Sequence, residues 1–176
     1  MTTRALLAAL LPIAIASSPL QAACPGGVST SFIVSGKVAK RAIFDLKMLE
    51  QKFSPTRENV TYFAGRSMVT ESLTGVLLWD LLNNPPVGGI VTDPDVKNDI
   101  LHKIVIVTGT DCYQSVFGAG EIDPHFGGSQ IMVAYRTDGQ SLGNKGLAWI
   151  VVPGDKADGR FVSNIAKIEV RDVTAR

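Results

Sequence analysis

Ile104-Val105-Ile106-Val107 is four β-branched residues in a row, and it limits the fold more tightly than any other stretch. Such side chains lose rotamer freedom in a helix and pack well on a pleated surface, so the run predicts a strand. It has no polar face, which suits a strand covered on both sides. It ends at Thr108-Gly109-Thr110-Asp111, a polar turn at the strand's C-terminal end, where open α/β sheets often place ligands. Gln130 to Tyr135 predicts a second interior strand. Between the two lie Asp111, Cys112, Tyr113, Glu121, Asp123 and His125 in a polar, Gly-rich stretch, the best local candidate for a site.

The 176 residues suffice for one domain with its own core. Apolar residues make up 45% and charged residues 19%, which excludes a disordered chain. The formal net charge is +1, and no basic run exceeds Lys40-Arg41. Phosphate backbones are bound by clustered cations, so no nucleic-acid partner is expected.

Arg4 is followed by the apolar run Ala5 to Ala16 and then Ser17-Ser18-Pro19-Leu20-Gln21-Ala22-Ala23. A charged start, a short apolar run and small residues before a cut predict a secretory signal over residues 1–23, with one domain over 24–176. The run is short for a membrane span. The mature chain is expected in the periplasm or secreted. A retained anchor is one alternative. Lipidation at Cys24 is another, since Ala22-Ala23-Cys24 resembles a lipobox end, with Gln21 where Leu is preferred.

Export permits a disulfide between Cys24 and Cys112, the only two cysteines. The alternatives are an inert thiol and a Cys112 thiolate served by His125. With His102 and His125 the cysteines show no zinc-like spacing. There is no G-x-S-x-G elbow and no Walker loop. Acid–base work by Glu121 and Asp123 is an unspecific option.

Taken in order, Ser31 to Val34 predicts a strand, with Val38 starting the return. Asp45 caps a helix carrying Leu46, Leu49 and Phe53, ended by Ser54-Pro55. Asn59 to Phe63 predicts a strand whose end exposes Arg66. Val76 to Leu82 predicts a helix with Leu78, Leu81 and Leu82 on one face, and Trp79 as packing. Asp93-Pro94 reads as the start of another helix carrying Val96 and Ile100. Asp138-Gly139 signals a hairpin, and Gly143-Asn144-Lys145-Gly146 a loop able to hold an anion. Ala148 to Val152 and Ile165 to Val173 predict the last strands, with a turn at Asp158-Gly159-Arg160 between them. The sum is an α+β domain with a mostly β core and two or three short helices.

The order of these motifs carries a resemblance. Phe63-Ala64-Gly65-Arg66, Thr74-Gly75-Val76-Leu77-Leu78-Trp79-Asp80-Leu81-Leu82, Asp111-Cys112-Tyr113, Val133-Ala134-Tyr135, Gly139-Gln140-Ser141-Leu142, Lys145-Gly146, Val151-Val152-Pro153-Gly154 and Ile168-Glu169-Val170 follow one another as in a known family. Over residues 31–173 the chain resembles the molybdopterin-binding domain of the sulfite oxidase family. The resemblance implies that family's α+β fold, a mixed β-sheet core with a few short helices, and a pterin-shaped pocket. It also implies a departure. Catalytic members place a molybdenum-binding cysteine thiolate where this chain has Phe63, and a phenyl ring cannot replace a soft ligand. Cys112 lies at a different motif. The Arg-Pro or His-Gly features that flank the cofactor in many catalytic members are missing too.

For a small exported stand-alone member, the resemblance therefore implies a periplasmic pterin-binding protein without catalysis, one that reports to the periplasmic domain of a membrane signalling protein. The expected ligand is a pterin or molybdopterin-like molecule, with molybdenum in doubt. Candidate binding residues are Phe63, Arg66, Ser67, Asp111, Tyr113, Phe117, Lys145 and Arg160. Phe63 or Phe117 would stack, Asp111 would accept from the pterin's N–H groups, Tyr113 would stack or donate, and Arg66 and Lys145 would meet a phosphate or carbonyl. One alternative is a molybdopterin-dependent oxidoreductase, or a subunit of one, with Cys112 as the thiolate. Another is a structural or partner-binding domain with an empty pocket.

Overall fold

The computed structural model describes residues 24–173, so the expected signal segment lies outside the described residues. In chain order the first elements are β1 (Phe32–Gly36), β2 (Ala42–Phe44), α1 (Leu46–Lys52), β3 (Thr56–Ala64), β4 (Ser67–Leu77) and α2 (Leu78–Asn83). Then come β5 (Lys103–Gly109), β6 (Gln114–Gly118), α3 (Ala119–Ile122), β7 (Met132–Thr137), β8 (Gln140–Ser141), β9 (Trp149–Val151) and β10 (Ile165–Asp172). One sheet has the order β2-β1-β10-β5-β6 and the other β3-β4-β7-β8, with β9 also paired to β7. The β1–β10 pair is parallel and the other strand pairs are antiparallel. Two sheets with few, short helices make the fold α+β, as expected.

The core lies on the inner faces of the sheets. Val105 and Val107 sit in register with Val170 and Ile168 on one side and Phe117 and Ser115 on the other, and all six are buried. Phe32 and Phe44 stack at 5.2 Å, with Phe53 beside Phe44 at 6.0 Å. Leu78, Leu81 and Leu82 of α2 are fully buried. The Asp45 carboxylate accepts the Met48 N–H at 2.7 Å, which starts α1 as expected.

The outer face of β5 was expected to be covered. Ile106 there is only 9% exposed. Its neighbours on that face are side chains of the adjacent strands. Glu169 and Val116 stand directly opposite it, and Glu169 is ion-paired to Lys167 at 2.9 Å and Arg171 at 2.7 Å.

Four expectations are corrected. Val76 and Leu77 belong to β4 and not to a helix. The apolar run Leu73 to Leu82 has no period of its own, and β7 captures Val76 opposite Val133. The helix starts only at Leu78, whose N–H goes to the Ile131 carbonyl at 2.8 Å. β4 itself escaped notice because Glu71 interrupts its alternation. Glu71 stands opposite Val60 on the inner face, where Val69 and Leu73 also point. No helix starts at Asp93-Pro94. The Asp93 carboxylate closes on the Asp95 N–H, its own N–H goes to Asp99 at 2.7 Å, and Asn98 takes a left-handed φ of 54°. Only the 3-10 turn Asp99–His102 forms. Lastly, the stretch after Tyr113 is no open loop, since it holds β6 and α3, and Val38 makes a single bridge to Ile90 while β2 is the return strand.

That 3-10 turn brings Asp99 to Lys103, which is also buried, at 2.7 Å, and Lys103 reaches Asp172 at 3.1 Å. The Lys103 hydrogen bond, then the Asp93 N–H, hold the Asp99 carboxyl below its usual range. Burial pulls the Lys103 ammonium down, but its bonds to Asp99 and Asp172 outweigh this and raise it. A lowered acid stabilises above the unfolded carboxylate value, about 3.9, and the contribution is lost as pH falls through the folded value. A raised lysine stabilises below about 10.4, and that contribution is lost as pH rises through the folded value. The stability difference between the wild type and an Asp99→Asn/Lys103→Met variant should therefore be flat near neutrality and change at both extremes. Urea unfolding across pH checks this, and a pH-independent difference would show that the pair carries no linkage.

Cys24 and Cys112 form a disulfide across 88 residues, with Cα atoms 5.5 Å apart. It holds the first described residues to the turn after β5, where Gly26 and Gly27 also bond to Thr110. In the chain-entropy account, the double variant Cys24→Ser/Cys112→Ser should lose about 4–5 kcal/mol in urea unfolding.

Candidate functional site

The chain passes from β9 in one sheet to β10 in the other through residues 152–164, and this connection gathers most of the candidate residues. Its backbone groups are met from both sheets. The Lys156 carbonyl accepts the Phe63 N–H at 2.8 Å, and Val162 bonds to Ile150 in both directions. The Gly159 carbonyl accepts the Tyr113 hydroxyl at 2.5 Å, and the Arg160 carbonyl accepts the Ser115 hydroxyl at 2.8 Å. At its far end Asn164 receives the Thr110 N–H on its carbonyl and the Ser29 N–H on its side chain.

Phe63 and Tyr113 are thereby fixed at the two ends of Lys156 to Gly159. Both rings face solvent, at 43% and 48% exposure. Arg66 and Ser67 lie beside Phe63 at the tip of the β3–β4 hairpin, and both are exposed. Asp111 sits two residues before Tyr113 and accepts its N–H at 3.0 Å.

The other three candidates are differently placed. Phe117 is fully buried, with the Arg160 guanidinium 5.6 Å from its ring centre, so it has no open face for stacking. Arg160 is held by Asp155 through two bonds of 2.7 and 2.8 Å and by Glu121 at 3.0 Å. The hydrogen bonds to Asp155 raise its pKa, burial opposes them, and Glu121 adds to the rise. Lys145 lies 3.0 and 3.2 Å from the two Glu71 oxygens and 3.6 Å from the Trp149 ring centre. These cations face carboxylates of the chain itself. In the Gly143–Gly146 loop the Lys145 and Gly146 N–H groups go to the Leu142 and Gly143 carbonyls, and Gly146 packs closely against Ser29 and Asn164.

Glu71 centres a cluster that the sequence did not reveal. The Tyr62 hydroxyl donates to it at 2.7 Å. Burial first, then this carboxylate, push the Tyr62 phenol well above its usual value. Tyr62, Trp149 and Phe161 pack with ring centres 4.9 to 6.1 Å apart. The one available signal was an acidic residue at an inward position of an alternating strand.

The remaining chemical options come apart. Cys112 is in the disulfide, so His125 has no thiol to serve. The exposed His125 meets the buried Asp123 carboxylate at 3.0 Å. Among the described residues no three His, Cys, Asp or Glu side chains gather as metal ligands. Four surface clefts of about 160 to 420 Å³ are lined by other residues, and none of the eight candidates borders them.

Two sheets joined by this connection, with two exposed aromatic residues anchored along it, define an α+β protein. No family model and no curated protein matches the chain. Among solved structures it is similar to the crystal structure of the sulfane dehydrogenase SoxCD from Paracoccus pantotrophus, with a TM-score of 0.62 and 19% identity. The match covers 83% of this chain and 39% of that one, so this chain spans about two fifths of its neighbour's length. At that identity the likeness is one of fold.

Replacing Glu71 by Gln should release Lys145 and weaken the Tyr62 bond. The expected loss is about 1–2 kcal/mol in urea unfolding, discounted for the partial exposure of Lys145. Amide exchange should rise across residues 143–147 and not in β5.

Proposed function

We propose that this protein is an exported, non-catalytic pterin-binding protein built on the molybdopterin-oxidoreductase type of fold, and that it reports to the periplasmic domain of a membrane signalling partner. The observation that carries the reading is the fate of the sulfur ligands. The resemblance puts Phe63 where catalytic relatives have a thiolate, and Cys112 is bonded to Cys24. Molybdenum in this family is held by a soft thiolate, and the residues present do not fit it. The disulfide also supports export, since such bonds persist in oxidising compartments. The fold likeness to a sulfane dehydrogenase, an oxidoreductase by its name, supports the type of domain.

The pterin itself finds partners. Phe63 and Tyr113 offer open ring faces beside Lys156 to Gly159, which suits a flat bicyclic ligand. Arg66, Ser67 and Asp111 supply exposed polar groups around them. Phe117 and Arg160 act from beneath by fixing the connection. Catalysis by a molybdenum centre would need Cys112 reduced and moved, which the disulfide opposes.

Protein purified from the periplasm should contain pterin, released by oxidation and read by fluorescence, and no stoichiometric molybdenum by elemental analysis. Titration with a reduced pterin should show binding weakened three- to tenfold by Phe63→Ala and about tenfold by Asp111→Ala or Arg66→Ala. Stoichiometric molybdenum would overturn the reading, as would failure of the emptied protein to bind reduced pterins.

A further inference from the structure

Cys112 stands between Asp111 and Tyr113, two of the residues assigned to the pterin, and it is bonded to Cys24. Both cysteines are exposed. Structural disulfides of exported proteins resist reduction, whereas exposed ones are open to attack by a thiolate and are the labile, regulatory ones. On the Cys24 side, residues 24–28 are all exposed, Val28 at 61%, and the first buried residue is Ser29. This strap buries little apolar surface that would hold it in place. Its hydrogen bonds before Ser29 run to one residue: the Gly26 N–H goes to the Thr110 carbonyl at 2.8 Å, and the Gly27 carbonyl accepts the Thr110 hydroxyl at 2.7 Å. Ser29 is anchored separately, with its N–H on the Asn164 side chain and its carbonyl accepting the Leu147 N–H.

The turn on the other side of the bond has a firm base and a less secure tip. At its base the Gly109 N–H goes to the Tyr113 carbonyl, and the Thr110 N–H to the Asn164 carbonyl, both at 2.9 Å. At its tip Cys112 takes a φ of 66°, a left-handed conformation that L side chains avoid. The Cys112 N–H goes to the Gly109 carbonyl at 3.0 Å, and its sulfur goes to Cys24. Breaking the S–S bond removes three tethers together. The covalent one goes at once, and the Gly26 and Gly27 bonds last only while the exposed strap is kept against Thr110. The turn is then free to leave the left-handed conformation, carrying Asp111 and the Tyr113 ring with it.

We propose that the Cys24–Cys112 disulfide is a redox switch on the pterin site, set for binding when oxidised and released by a dithiol reductant. The inference rests on the pterin-binding reading. A thiolate of the reductant attacks one sulfur, the S–S bond breaks, and a mixed disulfide forms. The reductant's second thiolate then displaces the protein sulfur. Two electrons pass to the protein, the reductant leaves as a disulfide, and its two protons end on the Cys24 and Cys112 thiols. The stability lost with the bond acts through the unfolded chain, so the anchors at Ser29 and Asn164 keep the native fold. If the released turn holds the binding geometry for about a tenth to a third of the time, affinity falls by about three- to tenfold.

The full mature chain is compared before and after treatment with dithiothreitol at neutral pH without denaturant, with thiols counted by alkylation and mass. Both thiols should appear while circular dichroism stays native. Amide exchange should rise at residues 26–28 and 110–113 and not in β5 or β10. Titration with tetrahydrobiopterin should show binding about three- to tenfold weaker in the reduced protein. Cys24→Ser/Cys112→Ser should bind like the reduced protein and respond no further to dithiothreitol, which separates cleavage of the bond from any action of the reagent on the ligand. Should that variant fail to fold, reduced wild type freed of dithiothreitol without oxygen takes its place. The proposal is overturned if the disulfide resists dithiothreitol until urea is added, if reduction unfolds the whole chain, or if both states bind equally. Absence of binding in both states overturns the pterin reading and takes the switch with it, whereas equal binding overturns the switch alone.

Discussion

Residues 152–164 have to leave one sheet and enter the other without stranding their backbone polar groups, and the surrounding structure is arranged around that requirement. The connection is too irregular to satisfy itself. Lys156 therefore borrows the end of β3, Gly159 and Arg160 borrow the start of β6, and Asn164 borrows the turn after β5 and the first described residues. Each loan is a fixed distance between two sheets that otherwise meet through apolar side chains. Arg160 adds a lateral clamp between Asp155 and Glu121. One segment thus sets both the relative position of the sheets and the placement of the exposed rings of Phe63 and Tyr113.

The same economy explains why the charged candidates are poor ligand contacts. A guanidinium or ammonium placed between two sheets loses water, and it is retained there only with carboxylates of its own. Arg160 has Asp155 and Glu121, and Lys145 has Glu71 and the face of Trp149. Arg66 and Asp111 lie at turns in open solvent, where a side chain needs no internal counter-charge and stays free for a visitor. Carboxylate partners within the chain, more than residue type, set Arg160 and Lys145 apart from Arg66.

Much of this was legible in the residues. The run Ile104 to Val107 gave β5, Asp45 gave the start of α1, and Asp138-Gly139 gave a hairpin with positive φ at both turn residues. What was hidden depended on partners distant in sequence. Val76 and Leu77 read as helix because nothing local says that Val133 will stand opposite. Glu71 masks β4 because its justification is Lys145, 74 residues away. Asp93 has every local mark of a helix cap, yet the Asp93 N–H is claimed by Asp99, whose carboxylate is set by the buried ammonium of Lys103. For the site, the hairpin tip and the Asp111–Tyr113 turn could be named from sequence order. Their separation by a connection some 50 residues further along could not.

Placing the sulfur atoms in a disulfide has a consequence beyond stability. A thiolate at the tip of β3 would be an anion at the edge of an aromatic surface, tolerable when a metal neutralises it and costly when none does. Phe63 removes that charge and adds a ring face at the same point. Cys112, whose N–H donates to the Gly109 carbonyl and which takes a left-handed conformation, is bonded to Cys24. A single bond then occupies both sulfur atoms and ties down the start of the described chain. Under the pterin-binding reading these changes act together. No thiolate charge stands at residue 63, an aromatic residue is exposed there, and the turn carrying Asp111 and Tyr113 is tied to the start of the described chain.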